Sequence, residues 1–294
     1  MGRVKISSPD SNVTGSAYLE VNTGKSQIIL VNGHWNKILN NLGRAPGAGG
    51  EEYWKYFLGD RLKPFFDNAK LHFNNFGYQT DPIYIDGSTK WGGDESGSQR
   101  KNRGYRYASE HFSEIKEGVG SKKVYLISHS EGCAFAAGVA KYLMEKGVKV
   151  GESIMLAADE GDEFSVEGNY PCYQIVAGWL DTYKEPKSLK QKTVFVVDPV
   201  VGDHIVKGVD KYGVFIKNGG NMLTVHEIVE TNIFDIITQL KNVIPQQMFT
   251  KEGTISYFAV PDPNQMWHKI NDRYMYNKRI DSFYHNHMKR ERKD

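Results

Sequence analysis

The chain has 294 residues, 39% of them hydrophobic and 24% charged, with a formal net charge of +2. That balance suits a globular chain long enough to bury a core, and the near-zero charge offers no field for nucleic acid. Two cysteines, Cys133 and Cys172, are too few for a disulfide framework and read as separate buried thiols. Residues 1–16 lack an apolar signal core, and no apolar run reaches the ~18 residues of a membrane-spanning segment. The expectation is a protein with no integral membrane segment, cytoplasmic or exported as part of a secreted effector.

Residues 27–31 (QIILV) predict a buried strand that ends in Asn32, Gly33, His34 and Trp35. Residues 51–73 predict an aromatic-rich helix that Pro64 must break or kink. Residues 82–85 (PIYI) are a second strand. The stretches 43–50 and 86–104 are rich in Gly, Ser and charge and long enough to be site loops. Tyr105, Ala108, Phe112 and Ile115 share a helical face, and residues 124–127 (VYLI) form a third strand with a helix over 131–146 directly behind it. Further strands are expected at 154–158, 173–177, 193–197 (TVFVV) and 214–216, before a helix carrying Val229, Ile233, Ile236, Ile237 and Leu240.

Several of these strands lack polar alternation, which fits coverage on both faces. Strands alternating with helices predict an α/β fold: a mostly parallel sheet with helices on both faces and loop and C-terminal extensions. TVFVV, β-branched and apolar, is expected at a buried central position. Residues 1–244 are expected to form the domain and 245–294 an extension whose end, KRERKD, reads as a solvated tail.

The strongest chemical signal is VYLISHSEGCAFAAGVAKYL. A buried strand runs into Ser128, His129, Ser130, Glu131 and Gly132, and a helix starts at once. A nucleophilic serine needs a tight strand-to-helix turn that projects its Oγ, with small residues two positions to either side. Gly132 meets that need, and Ser128 departs from the usual glycine but is small. The plain alternative is a serine helix cap at Ser130. An oxyanion hole needs two donors: the backbone N–H of Glu131 is one, and the N–H of His34, in the Asn32-Gly33-His34 loop, is the other.

The base must be a histidine placed after the acid. His226 follows the last strand and opens the helix HEIVETNIFDIITQL; His204, in VVGDHI, is the alternative. Three aspartates close apolar runs and compete for the acid: Asp198 after TVFVV, Asp181 after YQIVAGWL and Asp159 after IMLAA. Each also reads as an Asx turn at a strand end. Walker A, Rossmann and HExxH patterns are absent, so no metal or cofactor is expected.

The stretches NGHW, SHSEG and HEIVE, with the acid candidates, resemble the α/β-hydrolases over about residues 27–240. The resemblance implies a lipase-, phospholipase- or esterase-like serine hydrolase that cleaves an ester or lipid through a Ser-His-Asp triad. More narrowly, VNGHWNKILNNLG, YIDGSTKWGGDESGSQRKNRGY, LISHSEG, LAADEGDEFS and IVKGVDKYGV are similar to C-terminal domains of bacterial polymorphic or RHS-type toxins. That similarity implies an antibacterial effector with an immunity protein as partner. The competing class is a hydrolase-like binding module with an incomplete triad.

Overall fold

A computed structural model describes residues 2–6, 17–21, 24–33, 49–73, 81–88, 95–117, 119, 122–184, 191–197, 206–216, 228–229, 233–241 and 256–259. The elements are β1 (Gly2–Ile6), β2 (Ala17–Val21), β3 (Gln27–Asn32), α1 (Glu51–Leu58), a single 3-10 turn (Gly59–Arg61), α2 (Leu62–His72), β4 (Ile83–Asp86), α3 (Gly97–Glu110), α4 (Phe112–Lys116), β5 (Lys123–His129), α5 (Gly132–Glu145), β6 (Lys149–Leu156), β7 (Cys172–Lys184), β8 (Gln191–Val197), β9 (Lys211–Ile216), α6 (Ile233–Lys241) and β10 (Ser256–Ala259).

Eight strands form the main sheet in the order β10-β9-β7-β6-β5-β3-β4, with β8 attached to β7. The six from β4 to β9 along this order pair in parallel, and β10 closes the edge antiparallel. A strand from the expected C-terminal extension therefore joins the sheet. The parallel strands are apolar on both sides for a visible reason. Ile28, Leu30, Tyr125 and Ile127 enter one core with α1, α2 and α6, while Ile29, Val31, Val124 and Leu126 enter the other with α3, α4 and α5. Each fully buried aliphatic side chain contributes about 1.5–3 kcal/mol, so both helical layers are needed to hold the sheet. This is an α/β architecture, a mostly parallel sheet covered by helices on both faces.

The expected helix over 51–73 breaks at Gly59–Arg61, ahead of Pro64. Pro64 becomes the third residue of α2, in a first turn where a missing N–H costs nothing. The stretch 86–104, read as one loop, is half helix. Ser96 Oγ accepts from Gln99 N at 3.4 Å and Ser96 N donates to Gln99 Oε1 at 3.0 Å, a capping box that starts α3. Residues 89–94 of that stretch lie outside the described residues. Small residues on α5 let it press on α3: a Cβ at Gly138 would sit 1.9 Å from the Lys101 carbonyl oxygen.

TVFVV does not occupy a central parallel position. Residues 173–178 of β7 pair in parallel with β9, whereas 178–184 pair antiparallel with β8. Six residues separate β7 from β8, and a connection that short joins only antiparallel neighbours, since a parallel crossover takes about a dozen residues or more. The two strands extend as a hairpin beyond the sheet edge. At the other end of the chain, β1 and β2 form a separate antiparallel pair, announced by the alternation Arg3, Val4, Lys5, Ile6.

Candidate active site

The elbow is built as the motif requires. Ser130 lies between β5 and α5 with φ 56, in the left-handed region that costs a non-glycine residue about 1–3 kcal/mol. Three non-glycine residues have positive φ among the described residues, Ser130, Ala157 and Glu160, and all three lie at the exits of β5 and β6. Strain is concentrated at one edge of the sheet. Ser130 N donates to the Leu156 carbonyl at 2.9 Å and Cys133 N to the Ser130 carbonyl at 3.0 Å, which pins the turn to β6 and starts the helix. Ser130 is buried, with 7% of its surface exposed.

The small residues around it are set by backbone contact. A Cβ on Gly132 would lie 2.5 Å from the Asn32 carbonyl oxygen, and one on Gly33 would lie 2.6 Å from Ser130 Cβ and 2.9 Å from Glu131 N. The end of β3 and the elbow touch backbone to backbone. Ser128 fills the usual glycine place without strain: it is fully buried and its hydroxyl donates to the Ile154 carbonyl at 3.2 Å. Asn32, also fully buried, donates through Nδ2 to Asp86 Oδ1 and to the Gly33 carbonyl, both at 2.9 Å. Its Oδ1 accepts from Gly50 N at 2.6 Å. One amide thus ties the ends of β3 and β4 to the start of α1.

His129 faces the other way. It is fully buried, hydrogen-bonded through Nδ1 to the Tyr53 hydroxyl and set among the rings of Tyr53 and Phe57. Cys133, the second residue of α5, is no rival nucleophile, because burial pushes its thiol up to about 12. Both cysteines are free and buried.

Glu131 follows the nucleophile and caps α5, a 14-residue helix whose positive end faces the turn. Its carboxylate meets the buried guanidinium of Arg100 at 2.6 Å. Asp159 lies just past β6, half-buried, with Oδ1 accepting from Glu160 N at 3.0 Å. Asp181 stands opposite Val194 in the hairpin, five residues past Val176 and beyond the level of the elbow. Val197, the residue before Asp198, pairs with Gly178, so β8 returns toward the sheet. His34, Asp198, His204 and His226 lie outside the described residues. Sequence reasoning missed Arg100 and Tyr53. Among the described residues, no three His, Cys, Asp or Glu side chains gather to hold a metal ion, and no helix is long and apolar enough to cross a membrane.

No family model matches the chain, and no curated protein matches it. Solved structures do overlay on it. One is RedJ with a polyethylene glycol molecule bound in its active site: 9% identity, 56% of this chain and 74% of that one, TM-score 0.29. Another is the phospholipase PlaB from Legionella pneumophila: 9% identity, 81% of this chain and 68% of that one, TM-score 0.34. PlaB in complex with thio-NAD gives 10% identity, 80% and 67% coverage, and TM-score 0.32. Overlays this loose transfer no chemistry.

Proposed function

We propose that the chain is a serine hydrolase that cleaves an ester, with Ser130 as nucleophile. The observation that carries this reading is the strained, left-handed Ser130 at a strand-to-helix turn wedged between two glycine contacts. An ordinary serine cap sits in extended backbone and needs no such strain.

The reading assigns His226 as base and Asp198 as acid, with Asp159 and Asp181 as alternatives for the acid and His204 for the base. Support for this order is topological: β8 turns back toward the sheet before residue 198, and the segment holding His226 joins β9 to α6. In the reaction, His226 takes the Ser130 hydroxyl proton as Oγ attacks the ester carbonyl. The N–H groups of Glu131 and His34 hold the oxyanion. The alcohol leaves with the proton from His226, and water activated by the same histidine frees the acid. No cofactor enters these steps.

A lipid ester as substrate, a toxin role and an immunity partner rest on the sequence similarity alone. The test is hydrolysis of p-nitrophenyl esters of increasing chain length by the wild type, His226→Ala and His204→Ala. Loss in His226→Ala with retention in His204→Ala supports the assignment, and the reverse moves the base to His204. A wild type inert toward every ester leaves a binding module as the better description.

A further inference from the structure

Arg100 is among the largest fully buried side chains of the described residues, at 1% exposure, and the acyl-transfer steps do not use it. It belongs to the first turns of α3. Its Nη1 lies 2.6 Å from Glu131 Oε2, its Nε lies 3.5 Å from Glu160 Oε2, and its Nη2 donates to the Glu95 carbonyl at 2.9 Å. One guanidinium therefore joins α3, the elbow and the strained exit of β6. The exit is tied to α3 a second time, since Gly97 N donates to Glu163 Oε2 at 2.8 Å.

The chemistry of Glu131 gives this arrangement a purpose. Its backbone N–H is the donor expected to meet a developing oxyanion, yet its side chain carries a negative charge at the same residue. An uncompensated carboxylate there opposes oxyanion formation, and it does so strongly where water is excluded. We infer that Arg100 is a positioning residue that holds the Glu131 carboxylate against α3 and cancels its charge, so that the Glu131 amide can act as an oxyanion donor. This inference rests on the serine-hydrolase reading.

Acid outweighs base around this guanidinium. Among the described residues, Glu95, Asp159 and Glu163 lie close enough to act on Glu131 or Glu160, and Arg103 acts on Glu131 from the basic side. Burial, only partly offset by Arg100, raises the Glu131 carboxyl, and it pushes Glu160 up to about 7. Arg100 makes its hydrogen bond through Nη2 to the Glu95 carbonyl, while Nη1 and Nε meet Glu131 and Glu160 as ion pairs without aligned hydrogen bonds; a lysine would lose the Glu95 bond and the spread of charge over two carboxylates.

The test compares wild type, Arg100→Met, Arg100→Lys and the double variant Arg100→Met/Glu131→Gln, which keeps the Glu131 backbone N–H. The assay is p-nitrophenyl butyrate hydrolysis between about pH 6 and 9, with melting temperatures alongside. Arg100→Met should lose about tenfold or more in kcat with KM within about twofold, and the loss should deepen as pH rises and the stranded carboxylates ionise. The double variant should regain kcat to within about threefold of wild type and lose the added pH dependence, with Arg100→Lys in between. Wild-type kcat and pH profile in Arg100→Met would overturn the inference. So would a double variant that melts like wild type yet stays as slow as Arg100→Met. If Arg100→Met does not fold, the double variant is read directly against wild type, and a loss of about tenfold overturns the inference. An inert wild type instead sinks the hydrolase reading, and this inference with it.

Discussion

Two buried charge clusters flank β6, and they are built on opposite balances. Near its start, Glu152 faces two donors: His72 Nε2 at 2.7 Å from Oε1 and Lys241 Nζ at 2.6 Å from Oε2. His72 and Lys241 end α2 and α6, so the cluster bolts two helices to the sheet. Near its exit, the ratio is inverted, with Arg100 shared between Glu131 and Glu160. A carboxylate held by donors from two helices serves stability. Carboxylates in excess beside a strained turn are costly, and a fold keeps such a cost where it has a use.

The largest effects are expected at the exits of β5 and β6. Ser130→Ala should abolish ester turnover, by about four or more orders of magnitude, with an unchanged melting temperature. Esterase assay and calorimetry check both halves, and retained turnover would return the strain at Ser130 to a structural role. Asp198→Asn should cut turnover by roughly four orders by leaving the imidazole in the wrong tautomer. Collapse in Asp159→Asn with normal turnover in Asp198→Asn would move the acid to β6.

The other cluster should respond in stability alone. Glu152→Ala strands His72 and a partly exposed Lys241, and should cost about 2–3 kcal/mol in urea unfolding without changing kcat of the folded protein. A matching loss of kcat would erase the distinction between the clusters. Gly132→Ala forces a Cβ against the Asn32 carbonyl and should destabilise by about 1–3 kcal/mol, since backbone on both sides cannot yield.

The smallest expected effect is a pH slope. The Glu160 carboxyl is raised from its ordinary 4.5 to about 7, so the folded protein holds a proton there that the unfolded chain has released. The resulting stability is fully present below about 4.5 and is lost as pH rises through about 7. Glu160→Gln should flatten unfolding free energy against pH in that window. An unaltered slope would mean that another group carries it.

How much of this was legible depended on how local the cause was. The elbow could be read because strand, tight turn and small-residue helix are all written within residues 124–146. The parallel strands could be read because coverage on both faces forces unbroken apolar runs. TVFVV looked central by the same rule, because a strand ending at 177 leaves room for a crossover before 193; β7 instead runs on to Lys184, and the six residues that remain allow only a hairpin. The Ser96-to-Gln99 capping box was present in the loop read over 86–104, and charge and glycine masked it. Arg100 had no local signal, because its burial depends on glutamates from two distant segments.

The central claim, an activated Ser130, is tested most directly by mass spectrometry after incubation with a fluorophosphonate probe, which bonds only to an activated serine. The expected result is one adduct per chain, on the peptide containing Ser130, absent in Ser130→Ala and in His226→Ala. A wild-type chain that stays unlabelled, or is labelled at another residue, would contradict the claim.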